Sequence, residues 1–202
     1  MKETLTRIVF CGAPASGKTS ILNMLKERIH PALKKDWNIT FLEESATYTM
    51  LTTRLTPKVD PIAFQRAVLL HQLLCEDYQM CVDPTKPHNL SLLDRAISDA
   101  FVYISDQAES LLGQTLEQTL LRYDHVIYFQ RYLTSNVKAG NACRYESEEE
   151  LRALEERTFD VWSKHPNFTF IPVFKTISDK VDWVCRCLNR ILGEEVFVEC
   201  LI

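Results

Sequence analysis

Apolar and polar positions fall into a regular alternation of two periods along the chain. Five short apolar runs, Arg7–Cys11, Asn38–Glu43, Leu90–Asp94, His125–Phe129 and Phe168–Val173, read as strands. Nearly continuous apolar runs of this length suit strands buried on both faces of a sheet. Segments of helical period lie between them. Ser20–His30 stops at Pro31. Pro61–Cys81 carries Ala63, Phe64, Ala67, Val68, Leu70, Leu74 and Tyr78 at helical spacing. Asp60-Pro61 is a start signal, with Asp as N-cap and Pro at the first helical position. Ser98–Leu112 and Leu116–Arg122 read as one helix broken at Gly113. Ser147–Lys164 opens with Ser147-Glu148-Glu149-Glu150, a capping-box pattern. Ser178–Leu192 closes at Gly193.

Strands alternating with helices predict an α/β fold. The expectation is a three-layer sandwich with a five-stranded parallel sheet, helices on both faces and a small helical lid. Right-handed crossovers then put the carboxyl ends of all strands on one edge, where ligands collect. At that edge stand Gly12, Glu43-Glu44, Asp94-Arg95 and Lys175-Thr176.

The first strand runs into Gly12-Ala13-Pro14-Ala15-Ser16-Gly17-Lys18-Thr19, followed by Ser20 and a helix. This matches G-x-x-x-x-G-K-[ST], the phosphate-binding P-loop, between the strand and helix that the motif requires. Glycines permit close backbone approach, and successive N–H groups with the helix N-terminus face an anion. Lys18 is placed to reach β/γ-phosphates, and Thr19 to put its hydroxyl on Mg²⁺. The cofactors implied are ATP and Mg²⁺.

A second set of residues surrounds that loop. Asp94 ends an apolar strand, where a carboxylate can hold Mg²⁺ or accept a proton from an attacking hydroxyl. Arg95 can clamp phosphate in two-pronged fashion. The plainer readings are a helix N-cap for Asp94 and a surface ion pair for Arg95. Glu43 or Glu44, ending the second strand, is a candidate general base, with Glu43 slightly favoured. Residues 130–146 form the expected lid, which brings Arg131, Lys138 and Arg144 over the phosphates to meet developing charge. Gln65 or Arg66 could face the cleft, and Arg54 and Lys58 could meet an acidic substrate.

The chain has 202 residues, which fits one domain over 1–202. Its net charge of −4 argues against a nucleic-acid surface. No stretch approaches a membrane helix. Seven cysteines, an odd number, are scattered through apparent core segments, which suits free thiols in a reducing compartment. With no evident signal peptide, the expected location is the cytoplasm. Cys185-x-Cys187 lies on a helix and reads as packing. The five histidines show no metal spacing.

Taken together, Gly12–Thr19, a strand-two acid, Asp60-Pro61-Ile62-Ala63-Phe64-Gln65 and Leu92-Leu93-Asp94-Arg95-Ala96-Ile97-Ser98-Asp99 resemble the nucleoside and nucleotide kinase branch of P-loop proteins. In particular the chain looks like small single-domain AAA-type ATP-binding proteins related to nicotinamide-riboside and deoxynucleoside kinases. The resemblance runs from Arg7 to about Leu192. It implies that Lys18 and Thr19 bind triphosphate and Mg²⁺, that Asp94 serves the metal or the base, and that Arg131 to Arg144 supply a lid. Pro14 and Ala15 stand where many relatives have glycine, and Asp94-Arg95-Ala96 replaces the Glu-Arg-Ser of deoxynucleoside kinases. No guanine box follows the fourth strand, so GTP has no visible basis. The second acid and second domain of mechanical ring ATPases are not seen. Two functions follow as expectations. One is a kinase with a nucleoside triphosphate and a small-molecule acceptor as partners. The other is a nucleotide-dependent switch acting through a protein on Thr47–Lys58.

Overall fold

All five apolar runs form strands in a computed structural model, which describes residues 5–77, 82–131 and 147–199. They are β1 (Leu5–Cys11), β2 (Trp37–Leu42), β3 (His88–Asp94), β4 (His125–Phe129) and β5 (Phe168–Ile171). They pair in the order β2-β3-β1-β4-β5, every pair parallel. The strand at the centre shows why both faces are covered. Ile8, Val9, Phe10 and Cys11 are all fully buried. Alternate residues enter opposite cores, because side chains on a strand alternate in direction. Ile8 and Phe10 join one core with Ile21, Leu25, Val181 and Leu188. Val9 and Cys11 join the other with Leu69, Tyr123, Leu154 and Trp162. The result is the P-loop type of three-layer α/β sandwich.

The helices are α1 (Lys18–Lys26), α2 (Ser45–Thr52), α3 (Pro61–Asp77), α4 (Ala100–Tyr103), α5 (Ser105–Leu112), α6 (Leu116–Leu120), α7 (Glu148–Trp162) and α8 (Ile177–Leu192). Capping explains most boundaries. Asp60 Oδ1 accepts from the N–H groups of Ile62 and Ala63 at 3.1 and 2.9 Å, so Asp60-Pro61 starts α3 as expected. Ser147 and Glu150 form the reciprocal capping box of α7, at 3.2 and 2.6 Å. Thr176 caps α8: its Oγ1 accepts from Asp179 N–H at 3.1 Å.

Three expectations need correction. The helix expected to run to His30 ends at Lys26, because residues 28–30 are drawn into extended pairing with the C-terminal segment: Ile29 bridges Phe197 and the His30 N–H donates to Val196 O. The helix expected over Ser98–Leu112 is a 3₁₀ turn, α4 and α5, broken at Ile104, whose φ of −138° is not helical. And α2 lies where no helix was expected. No helix among the described residues is long and apolar enough to cross a membrane. The described cysteines Cys11, Cys75, Cys185 and Cys187 form no disulfide, and the first three are buried in the cores.

Gly12 sits at the crossing of β1 and β4, with φ of 136°, and a Cβ there would lie 2.4 Å from the Phe129 carbonyl oxygen. Gly12→Ala is therefore expected to lower stability by about 1–3 kcal/mol through overpacking and backbone strain. Thermal and urea denaturation measure this, and an unchanged midpoint would contradict the close approach.

Candidate functional site

The loop between β1 and α1 is shaped by backbone conformations that few residues adopt. Gly17, the residue before α1, has φ of 93° and brings no side-chain cap. No acidic residue occupies the first turn of α1 either. Its leading N–H groups and the positive end of the helix dipole are thus left for an external anion. Ala15 holds φ of 67°, a left-handed geometry that residues with a Cβ adopt uncommonly.

Lys18 turns back over the loop. Its Nζ donates to Gly12 O at 2.9 Å, Ala13 O at 3.1 Å and Ser16 Oγ at 3.2 Å. Burial, and then the neighbouring Arg95 charge, bring its ammonium down to about 8. A second buried lysine stands behind the loop. Lys180, from the first turn of α8, donates to Ser16 O at 2.9 Å and lies 5.2 Å from the Phe129 ring centroid. Burial and then Lys18 push it to about 8 as well. Lys180 was not among the candidates from sequence. Nothing in its linear surroundings separates it from any lysine in a first helical turn.

Asp94, at the end of β3, is 1% exposed. Thr19 Oγ1 donates to its Oδ2 at 2.5 Å, while its buried Oδ1 has no hydrogen-bond partner among the described residues. Burial raises the carboxyl, with the Lys18 charge opposing and Glu44 adding to the rise. An orphaned carboxylate oxygen beside a threonine hydroxyl fits Mg²⁺, which takes one or two protein oxygens and fills its shell with water and phosphate. Among the described residues no group of three or more His, Cys, Asp or Glu could hold a metal alone.

Glu44, not the slightly favoured Glu43, is the strand-two acid that faces the site. The alternation of β2 ends at Leu42, and the chain turns so that Glu44 becomes the residue before α2. The Glu43 side chain is 81% exposed and pairs with Lys26 on the surface. Glu44 Oε1 instead accepts from Arg95 Nε at 2.5 Å, and Thr47 Oγ1 donates to its Oε2 at 2.7 Å. Burial alone would raise this carboxyl, but the Arg95 and Lys18 charges outweigh it and hold the group at about 2. Arg95 is no surface ion pair. It is 8% exposed and has φ of 70°. Its N–H donates to Phe10 O at 3.1 Å, and its guanidinium lies 3.8 Å from Asp99 and 5.7 Å from the Tyr103 ring. A non-glycine residue in that backbone region persists only where its surroundings hold it, and such residues gather at functional sites.

Arg131, expected in a mobile basic lid, is a buried structural arginine. Its guanidinium makes a two-pronged contact with Glu148 at 2.6 and 3.2 Å, and its N–H donates to Glu155 at 3.0 Å. These carboxylates of α7 claim it where phosphate was expected. Arg144 and the rest of the lid from 132 to 146 lie outside the described residues.

A cavity of about 640 Å³ opens from Gly17, Lys18, Thr19 and Ser20, passes Glu44 and Arg95, and continues over Phe64 and Gln65 of α3 and Tyr103. Lys58, Glu150 and Arg157 stand at its mouth. Gln65 is 8% exposed and stands on the cavity wall. An amide on a cavity wall can donate to and accept from a ligand seated there. Of the two cleft candidates on α3, Gln65 is the one that lines the cavity.

The Glu44–Arg95 pair makes a prediction about acid stability. Glu44 titrates near 2 when folded, below the ordinary carboxylate value of 4.5. It therefore stabilises the fold fully above pH 4.5 and loses that contribution as pH falls toward 2. Glu44→Gln should cost about 3 kcal/mol at pH 7, with the gap to the unsubstituted protein closing in acid. Urea unfolding at pH 7 and below pH 4 measures both values. A gap independent of pH would remove Glu44 from the ion pair.

Comparison with known proteins agrees with this geometry. The AAA domain family matches residues 7–180. No curated protein matches the sequence. The matched span takes in the whole sheet, the loop and each of the side chains gathered at its carboxyl edge, and the chain belongs to the AAA domain family of nucleotide-binding P-loop proteins.

Proposed function

We propose that the protein is a small-molecule kinase. It moves the γ-phosphoryl group of ATP to a nucleoside- or nucleotide-like acceptor seated in the cavity beside the phosphate loop. The observation that carries this reading is the position of Glu44 and Arg95. They lie on the wall of a cavity that continues from the loop to Phe64 and Gln65 of α3. A switch that only binds and releases nucleotide has no use for such a second compartment.

Phosphoryl transfer asks for positioning and charge neutralisation more than for covalent help. Lys18 exchanges its three loop acceptors for phosphate oxygens. The N–H groups at the start of α1 add fixed dipoles. Thr19 and Asp94 would hold Mg²⁺, which supplies charge neutralisation to the phosphates when bound. Glu44 accepts a hydrogen bond from the acceptor hydroxyl and orients it toward the phosphate. A carboxylate held at about 2 is a weak base. It serves a loose transition state, in which the hydroxyl proton passes to Glu44 only late, as the new P–O bond forms and the bond to ADP breaks. Arg95, held by Glu44 and Asp99, places positive charge where the transferred group gains negative charge.

The test is ATP turnover with a panel of nucleosides and nucleoside monophosphates. One panel member should stimulate ADP formation well above the basal rate. Mg²⁺ and ATP should raise the melting temperature of the unsubstituted protein by mass action, and Lys18→Ala should abolish that shift. Glu44→Gln should keep the shift and lower turnover by about 10²–10⁴-fold, the usual scale for a group handling the proton. Slow hydrolysis indifferent to every acceptor and to Glu44→Gln would overturn the kinase reading in favour of a switch.

A further inference from the structure

Glu44 and Arg95 come from different elements, and nothing in the chain's order keeps them together. Glu44 precedes α2, and Arg95 follows β3. One buried side chain on α3 touches the backbone or immediate neighbour of each. Gln72 is 4% exposed. Its Oε1 accepts from Ser45 Oγ, the residue directly after Glu44, at 2.6 Å. Its Nε2 donates to Glu76 Oε1 at 2.9 Å and reaches the Arg95 carbonyl oxygen at 3.4 Å.

The orientation of this amide follows from its neighbours. Nε2 faces a carboxyl oxygen and a carbonyl oxygen. The carbonyl can only accept, so the amide nitrogen must point there. Oε1 then faces Ser45, whose hydroxyl must donate. The Ser45 oxygen is left to accept from His71 Nδ1, 2.9 Å away. His71 in turn stacks on Tyr48 of α2 at 4.2 Å between ring centroids. On the other side, Glu76 is fixed by Tyr123, whose hydroxyl donates at 3.0 Å and accepts from Ile97 N–H at 3.2 Å. Arg122 adds an ion pair to Glu76 at 3.4 Å. The network thus begins and ends in the segment that carries Arg95 and in the helix that follows Glu44.

We propose that Gln72 is a positioning residue that sets Glu44 and Arg95 relative to one another, by bonding Ser45 on one side and the Arg95 carbonyl on the other. Arg95 sits at φ of 70°, a conformation that costs energy for any residue with a Cβ. The bond from Gln72 is a partner that this buried carbonyl has in that conformation and would lose in another. Loss of the amide frees α2 to shift and Arg95 to relax, and the acceptor hydroxyl loses its alignment. The catalytic consequence rests on the kinase reading above; the geometric one does not.

The experiment uses Gln72→Met, which keeps length and apolar bulk but removes both polar atoms, and Ser45→Ala, which breaks one arm and leaves Gln72 in place. With ATP and the acceptor that stimulates turnover, Gln72→Met should lower kcat about 10- to 100-fold, the scale of a misaligned reacting group. KM for ATP should stay within about twofold, because the loop and its bonds are untouched. Ser45→Ala should give a smaller loss of the same kind, and it carries the test if Gln72→Met does not fold. In a Glu44→Gln background, Gln72→Met should cost clearly less than it does alone, since the part of its effect that runs through Glu44 is gone and only the part through Arg95 is left. Full multiplicative loss in that background would mean a merely structural role and overturn the proposal. A raised KM for the acceptor with intact kcat would place Gln72 on the acceptor itself and also overturn it. A crystal structure of Gln72→Met separates this inference from the kinase reading. Arg95 should leave the left-handed region; if it keeps its conformation and its bond to Glu44, the positioning role fails whatever the protein phosphorylates.

Discussion

The site depends on the parallel register between β1 and β3. Phe10 lies opposite Asp94, and the Arg95 N–H donates to the Phe10 carbonyl oxygen. Two residues on from Phe10, the chain enters the phosphate loop. One residue on from Asp94, it takes the left-handed turn of Arg95. A slip of one residue would reverse every side chain across the sheet and send Asp94 into the opposite core. The apolar residues on both strands forbid that slip, because Ile8 and Phe10 fill one core while Val9 and Cys11 fill the other. Burial of ordinary hydrophobic side chains is therefore what places a lysine, a carboxylate and an arginine within reach of one another.

Those charges are assembled from largely buried side chains and must nearly balance. Lys18 and Arg95 stand against Glu44, Asp94 and Asp99, with Lys180 behind the loop. The geometry sorts the carboxylates by role. Glu44 lies directly on Arg95 and stays ionised far into acid. Asp99 is held by Trp162 Nε1 at 2.8 Å and braces the arginine from the other side. Among the described residues, Asp94 receives only the Thr19 hydroxyl and keeps one oxygen open. The three acids thus divide into one that pairs, one that supports and one with an oxygen left open.

The central strands β1, β3 and β4 could be read from sequence because a strand buried on both faces is a nearly continuous apolar run, whereas the edge strands β2 and β5 are only partly buried and show as shorter runs broken by Asn38, Thr40 and Thr169. The phosphate loop was readable because its spacing has only one common use. Other features lack a local cause. The helix α2 has the sequence Ser-Ala-Thr-Tyr-Thr-Met-Leu-Thr, whose β-branched threonines are poor helix formers. It is held by contacts with α3, the Ser45–Gln72 bond and the Tyr48–His71 stack, which no local pattern encodes. The choice between Glu43 and Glu44 turned on where β2 ends, and strand ends are the weakest part of any pattern. Arg131 follows β4 just as a phosphate-binding lid residue would. Its partners, Glu148 and Glu155, lie 17 and 24 residues away on a helix whose acids also serve its own cap.

Lys18 has its hydrogen bonds satisfied by the loop it belongs to, and Lys180 secures Ser16 from behind. The cradle accordingly keeps its shape before any guest arrives. Nucleotide capture becomes a swap of one set of acceptors for another, with little chain entropy left to lose. In a swap the net enthalpy is small, because bonds are broken as well as made. Tight retention must come from the displaced water and from the charge of the guest, so the loop favours the most highly charged phosphate tail it meets over a single inorganic ion.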